Sequence, residues 1–150
     1  MGTMRKSVVA LVNELIARDY DAAQACVAAM DLIRDVEDKD KLGQLAGIHK
    51  KHIAALGEIV REYGGTPVQH AGGMAIAESA KVMLAGLVGD RMVLAAMRSN
   101  EKQTEAAYQE AMAHEGIPLD VRTIIERNLA EESSYHAWLV RRVDELPPSL

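Results

Sequence analysis

His49 and His52 stand three residues apart in the stretch AGIHKKHIAALGEIVREYGG, residues 46–65, where apolar residues recur at helical spacing. One turn of helix carries such a pair to the same face. Imidazole is the commonest metal ligand and also titrates near neutral pH. Three other long segments break an apolar stripe near the middle with a residue of similar capability. These are Asp19, Glu101, and Glu132 with His136 one turn further on. Burying carboxylates and imidazoles without compensation is costly, and acids that face acids repel unless protonated or bridged by a cation. A cation or an extended hydrogen-bond network at one depth accounts for all four interruptions.

Helices must position these groups. Apolar residues follow the three-and-four spacing of an amphipathic helix rather than the alternation of a strand. The first helix is expected from about Met4 to Val36, followed by the charged turn EDKDK, with Asp38 or Asp40 as N-cap of the next. The second is expected from about Asp40 to Tyr63, stopped by Gly64 and Gly65. A shorter piece at about Met74 to Leu87 leads to a third long helix from Asp90 to His114. Pro118 then opens a fourth, running to Glu145. Short turns inside each pair and a long connection between the pairs predict an all-α bundle of two antiparallel hairpins with a partly helical crossover.

The inward stripe of the first helix is read as Val8, Val12, Leu15, Asp19, Ala22, Cys26, Met30 and Ile33. That of the second is Leu45, His49, His52, Leu56, Ile59 and Tyr63. On the third, Leu94, Met97, Glu101, Thr104, Tyr108 and Ala111 face in; on the fourth, Val121, Ile125, Asn128, Glu132, His136 or Tyr135, Leu139 and Val143. Asp19 and His52 lie 33 residues apart and Glu101 and His136 lie 35 apart, as two hairpins related by a pseudo-two-fold axis would place them. Asp21 competes with Asp19 for the inward place, and Glu131 beside Glu132 reads as the solvated member of that pair. His49 has a second reading, hydrogen-bonded to a carboxylate such as Asp19.

The 150 residues bear a formal charge of −5, with 17 basic and 22 acidic residues intermixed. No basic run offers a footprint for nucleic acid or an anionic membrane. The N-terminal apolar run VVALV is too short for a membrane span or signal peptide. A single cysteine, Cys26, excludes an intrachain disulfide and reads as a small buried hydrophobe. Phe is absent while Ala and Met are plentiful, which suits closely packed helices. One cytoplasmic domain spanning 1–150 is expected, with no nucleic-acid partner.

The segments VNELIARDYDAA, VREYGGTP, GDRMVLAAMRSNEKQTEAAYQEAM and IIERNLAEESSYHAWL resemble the ferritin-like superfamily. Within it they resemble a bacterial four-helix-bundle branch labelled a domain of unknown function, related to diiron and bacterioferritin-type proteins. The resemblance implies one acid on helix 1, Glu-x-x-His on helix 2, one acid on helix 3 and Glu-x-x-His on helix 4. Asp19 and Glu101 stand at the two lone acids and His52 at the helix 2 histidine. His49 occupies the helix 2 glutamate position. On helix 4 the best match is Glu132 with His136, spaced by four; strict spacing would put Ser133 at the acid.

The implied metal set is therefore Asp19, His49, His52, Glu101, Glu132 and His136. Three histidines among three acids favour zinc or a single iron over a standard oxygen-rich diiron centre, with a remodelled site of two iron ions as the alternative. Lys50 occupies the place of the bacterioferritin haem methionine, so no haem is expected. No 24-subunit shell is expected either, because PPSL stands where a fifth short helix would follow; a homodimer is expected instead. If the metal is iron, the implied chemistry is Fe(II) oxidation or reaction with oxygen or peroxide, in stress or metal homeostasis. No catalytic residue is assigned. The alternative is a non-enzymatic dimeric stress or scaffold bundle with a metal-free polar layer. A third reading makes residues 74–87 a partner-binding surface, against a crossover packed on the bundle.

Overall fold

The computed structural model describes residues 2–69 and 84–148. Four long helices account for most of them: α1 (Gly2–Met30), α2 (Val36–Glu62), α3 (Asp90–Met112) and α4 (Leu119–Glu145). No strand occurs among the described residues. The helices pack as α1 on α2, α3 on α4, α1 on α3 and α2 on α4. The expected crossover helix falls largely on residues 74–83, outside the described residues. Leu84 beyond them is buried and Leu87 is packed against the same apolar cluster.

The core consists of two apolar clusters. One gathers Ala25, Cys26 and Ala29 of α1, Leu42 and Leu45 of α2, Leu94 and Met97 of α3, and Leu139 and Val143 of α4. The other gathers Val12 and Ile16 of α1, Leu56 and Val60 of α2, Tyr108 and Ala111 of α3, and Val121 and Ile125 of α4. The first cluster thus joins the C-terminal halves of α1 and α4 to the N-terminal halves of α2 and α3. Neighbouring helices are antiparallel, and the diagonal pair α2 and α3 run in the same direction, which requires the long α2–α3 connection. The inward stripes read from the sequence, with Leu87 at the start of the third and Leu146 at the end of the fourth, are buried except that Met30, Tyr63, Leu87, Tyr135, His136 and Leu146 are half-buried.

The first hairpin turns earlier than the sequence predicts. α1 stops at Met30 rather than near Val36, with the backbone N–H groups of Leu32 and Ile33 bonded to Ala29 O. This lets Ile33 bury its side chain. The N-cap of α2 is Asp35, whose carboxylate accepts the Asp38 N–H at 2.8 Å, and not Asp38 or Asp40. Asp38 is instead buried and meets Arg142 Nε with both oxygens at 2.9 Å. Arg34 and Asp35 donate their backbone N–H groups to the Asp90 carboxylate at 2.9 and 3.0 Å, fastening the turn to the start of α3.

At the opposite end, Tyr63 donates its hydroxyl hydrogen to Asp120, tying α2 to α4. Gly64 adopts φ +83° after α2, and a Cβ on Gly65 would lie 2.6 Å from Val9 Cγ1. The chain therefore passes α1 at a distance that only glycine permits. Asn13 holds the segment that follows, donating to Thr66 O at 3.2 Å and accepting from the Val68 N–H at 3.0 Å.

The Asp38–Arg142 pair yields a stability test. Burial pushes the Asp38 carboxyl up, and the hydrogen bond and charge of Arg142 oppose that shift. Arg142→Met is expected to destabilise the fold by about 2 kcal/mol, the scale of an orphaned buried polar group. Adding Asp38→Leu should recover most of that loss. Urea unfolding of the two variants checks both expectations; an Arg142→Met midpoint equal to the parent's would show the pair to be solvated and neutral in effect.

Candidate metal centre

Between the two apolar clusters lies a polar layer. Asp19 comes from α1, His49 and His52 from α2, Glu101 from α3 and Glu132 from α4, and all five are at most 1% exposed. Helical periodicity alone brings them to one depth, because each sits on its helix's inward stripe near mid-length. The two histidines, one turn apart, present both rings to the interior at a centroid separation of 6.2 Å.

The Nδ1 atoms of both rings face a common interior point. His49 Nδ1 lies 2.8 Å from Asp19 Oδ1 and 3.2 Å from Glu132 Oε1. His52 Nδ1 lies 3.0 Å from Glu132 Oε1 and 3.6 Å from Asp19 Oδ1. One donor atom each from Asp19, His49, His52 and Glu132 falls within 4.8 Å of all the others. Ligands at about 2.0 Å from a tetrahedral ion stand about 3.3 Å apart, and the four N···O separations, 2.8 to 3.6 Å, already bracket that spacing.

Each imidazole is backed by a further acid on its Nε2. Behind His49 is Glu101, with Oε1 at 2.5 Å. Behind His52 is Glu131, with Oε1 at 3.3 Å. A carboxylate behind a ligating imidazole fixes the ring's tautomer and orientation. Asp19 is held in turn: its Oδ2 accepts from the buried Tyr108 hydroxyl, which accepts from Asn128 Nδ2 at 3.4 Å. Glu101 Oε2 and Glu132 Oε2 are buried without a hydrogen-bond partner. The unpartnered Glu132 oxygen belongs to a residue of the convergent group, so that donor set retains lone pairs a cation could use.

Burial by itself would lower both imidazoles, but hydrogen bonds to carboxylates outweigh it. His49 is raised well above the usual range by Asp19, Glu101 and Glu132, and His52 is raised to about 9 by Asp19 and Glu132. Burial pushes Glu101 up to about 8 against the opposing hydrogen bond and charge of His49. Burial would also raise Glu132, yet its hydrogen bonds to His49 and His52 hold it well below the usual carboxylate range. Cys26 lies nearby, its thiol pushed up to about 12 by burial, which keeps it protonated and unsuited to ligation.

Four of the six expected ligands therefore converge on one point, and Glu101 joins them through His49. His136 does not. Its Nδ1 lies 3.5 Å from Glu105 Oε1 on α3, with both side chains nearly a fifth exposed. Four residues of helix advance about 400°, so a residue four beyond the inward-pointing Glu132 is rotated about 40° off its direction. That rotation carries His136 to the α3 seam. Asp21 pairs with Arg18 at 3.3 Å toward the surface, leaving Asp19 as the inward acid. Glu131, read from the sequence as solvated, is partly so but also touches His52. The signal for it was the acid doublet itself, since adjacent helical residues diverge by about 100° and only one can point straight inward.

Two antiparallel hairpins joined by a long crossover, with a mid-depth layer of acids and histidines, define a ferritin-like four-helix bundle. The family described as "Domain of unknown function (DUF2383)" matches residues 7–114, and the chain belongs to it. That match takes in Asp19, His49, His52 and Glu101 and ends before α4. Among solved structures, a Dps1 variant from Mycobacterium smegmatis has a TM-score of 0.81 over 94% of this chain and 97% of that one, at 9% identity. The bacterioferritin-related protein of Bacteroides fragilis, a dodecameric thioferritin, has a TM-score of 0.80 over 94% of this chain and 86% of that one, at 17% identity. At such identities the likeness is one of fold. No curated protein matches the chain.

The raised imidazoles set the pH dependence of the metal-free protein. Their folded values exceed the unfolded ones, so the stability they contribute is full below about 6.5 and is lost as pH rises through about 9 for His52. Glu101 acts in the same direction, its contribution falling away between its ordinary range and about 8. Glu132, depressed, contributes above its ordinary range and loses that stability in strong acid. The melting temperature in EDTA is expected to fall from pH 6 to pH 9, and His52→Gln should flatten the slope. A parent melting temperature that rises across that interval would contradict this electrostatic picture.

Proposed function

We propose that the chain is a metal-binding protein in which Asp19, His49, His52 and Glu132 hold one divalent cation, iron or zinc, with Glu101 steadying His49 from behind. The observation that carries this reading is the convergence of two imidazole nitrogens and two carboxylate oxygens, from three helices, on one dry point. Two nitrogen and two oxygen donors suit a borderline ion better than magnesium or calcium. The charge count favours one ion over two. Two imidazolium protons carry the charge of one divalent cation, so exchanging them leaves the layer's charge unchanged.

If iron occupies the site, it supplies electron transfer to oxygen or peroxide, the chemistry of Fe(II) oxidation. The chain's own side chains bind and orient. Tyr108 keeps Asp19 turned inward, Glu101 sets the His49 ring, and the apolar clusters on both sides exclude water. The ferritin-like fold favours iron handling over purely structural zinc. We also infer a homodimer, on the strength of Val27 and Leu32, apolar side chains left 50% and 44% exposed near the C-terminal end of α1. A cytoplasmic setting accords with the buried thiol of Cys26. No helix among the described residues is long and apolar enough to cross a membrane.

A second reading has its own observation. All four ring nitrogens of His49 and His52 already face carboxylates, so the layer closes as a hydrogen-bonded network without a metal. Elemental analysis separates the two. Tag-free protein incubated with Fe(II) or Zn(II) and desalted is expected to retain about one ion per chain. The Asp19→Asn, His52→Ala double variant should bind more than about 100-fold more weakly. A parent that retains no stoichiometric metal returns the layer to the metal-free reading. Oxygen consumption on adding Fe(II) then distinguishes a reactive site from a structural one.

A further inference from the structure

A cation site enclosed on every side needs a way in, and beside the polar layer stands a side chain that reaches water. The five layer residues are shut away, whereas the Glu131 side chain is 28% exposed. Its Oε1 is 3.3 Å from His52 Nε2, on the face of that ring turned away from the interior group. The two imidazoles are therefore unequal. His49 is backed by Glu101, which is fully buried, and His52 by an acid in contact with solvent.

Glu131 stands on the seam between α2 and α4, which approach each other less closely than the other three neighbouring helix pairs. Further along α4 that seam is covered by Tyr135 and Trp138, with the Lys41 ammonium 5.5 and 5.8 Å from their ring centres. At Glu131 a carboxylate is what meets the solvent.

We propose that Glu131 is the entry residue of the centre. It takes a divalent cation from water and passes it to His52, whose imidazole then turns to deliver it to Asp19, His49 and Glu132. The proposal rests on the metal-binding reading above. Glu131 is a positioning residue for transit and not a member of the resting ligand set. It has the chemistry for this role, because a partly hydrated carboxylate can replace some of an incoming ion's waters before the dry interior replaces the rest. Its negative charge at the mouth of a low-dielectric passage also concentrates cations there.

An entry residue changes the rates of both uptake and release, whereas a carboxylate that only backs His52 changes the affinity through release. Co(II) is a suitable probe, since its visible absorption reports the coordinated ion directly. Glu131→Gln keeps an oxygen for the His52 N–H and removes only the charge. Stopped-flow uptake of Co(II) and its release to EDTA are both expected to slow, by about three- to tenfold. Glu126→Gln removes the same charge from an exposed position elsewhere on α4 and should leave both rates at the parent value. Unaltered rates in Glu131→Gln would overturn the proposal while the metal site stands. So would faster release with unaltered uptake, which would make Glu131 only the carboxylate that backs His52. A parent that binds no Co(II), Fe(II) or Zn(II) would remove the metal reading itself, and the proposal with it.

Discussion

The constraint on which this bundle depends is the burial of two imidazoles and three carboxylates at a single depth between two apolar clusters. Hydrophobic packing drives the helices together but is non-directional and tolerates many registers. A polar layer does not. Sliding one helix by a turn, about 5.4 Å, would leave its acid or histidine facing Leu or Val and would strip the remaining groups of a partner. Every helix contributes to the layer, so one set of contacts fixes the register of all four at once. The end ties, Asp90 on the first hairpin turn and Tyr63 on Asp120, follow from that register and reinforce it.

The layer is also what makes the core electrostatically tenable. Burial alone would drive the imidazoles to neutrality and every acid toward its protonated form. The observed directions depart from that in a structured way. Both imidazoles are raised, Glu132 is depressed, and Glu101 follows the push of burial. Protons on the two rings thus act as the counter-charge for the inward carboxylates. A cation placed among the Nδ1 and carboxylate oxygens would take over the same role. Proton and metal therefore compete for one set of lone pairs, which is why metal sites of this composition bind more tightly as pH rises.

Much of this was legible in the sequence, for a physical reason. A 3.6-residue period over helices of 23 to 29 residues fixes which face turns inward, so Asp19, His49, His52, Glu101 and Glu132 could be picked out as inward interruptions of an apolar stripe. Local choices were less legible. The stretch DLIRDVEDKD offers several aspartates as caps, and Asp35 holds that place because Ile33 and Asp38 have tertiary partners that draw the chain around earlier. His136 illustrates the same limit on a helix face. Periodicity left it beside Tyr135 as a stripe residue, and the rotation of α4 within the bundle, set by packing against α3, turned it to Glu105. Glu131 was hidden for the complementary reason, since a residue at the margin of the inward face counts as solvated until its neighbour across the seam is known.

His49 is where this chain departs from the Glu-x-x-His pattern that its resemblance to diiron proteins implies, and the departure has a definite consequence. An acid at that position would add negative charge to a layer already rich in carboxylates and would make a cation obligatory for a stable core. An imidazole removes that charge, brings a proton of its own, and bonds Asp19 on one side and Glu101 on the other. The layer can then close on its own protons. Every ring nitrogen then has a carboxylate partner without metal, and any cation the layer held would have to outcompete two protons already accommodated in hydrogen bonds. Exchange of one for the other would thus turn on the identity of a single residue, and the pH of that exchange would be set by how strongly Asp19, Glu101 and Glu132 hold the histidines charged.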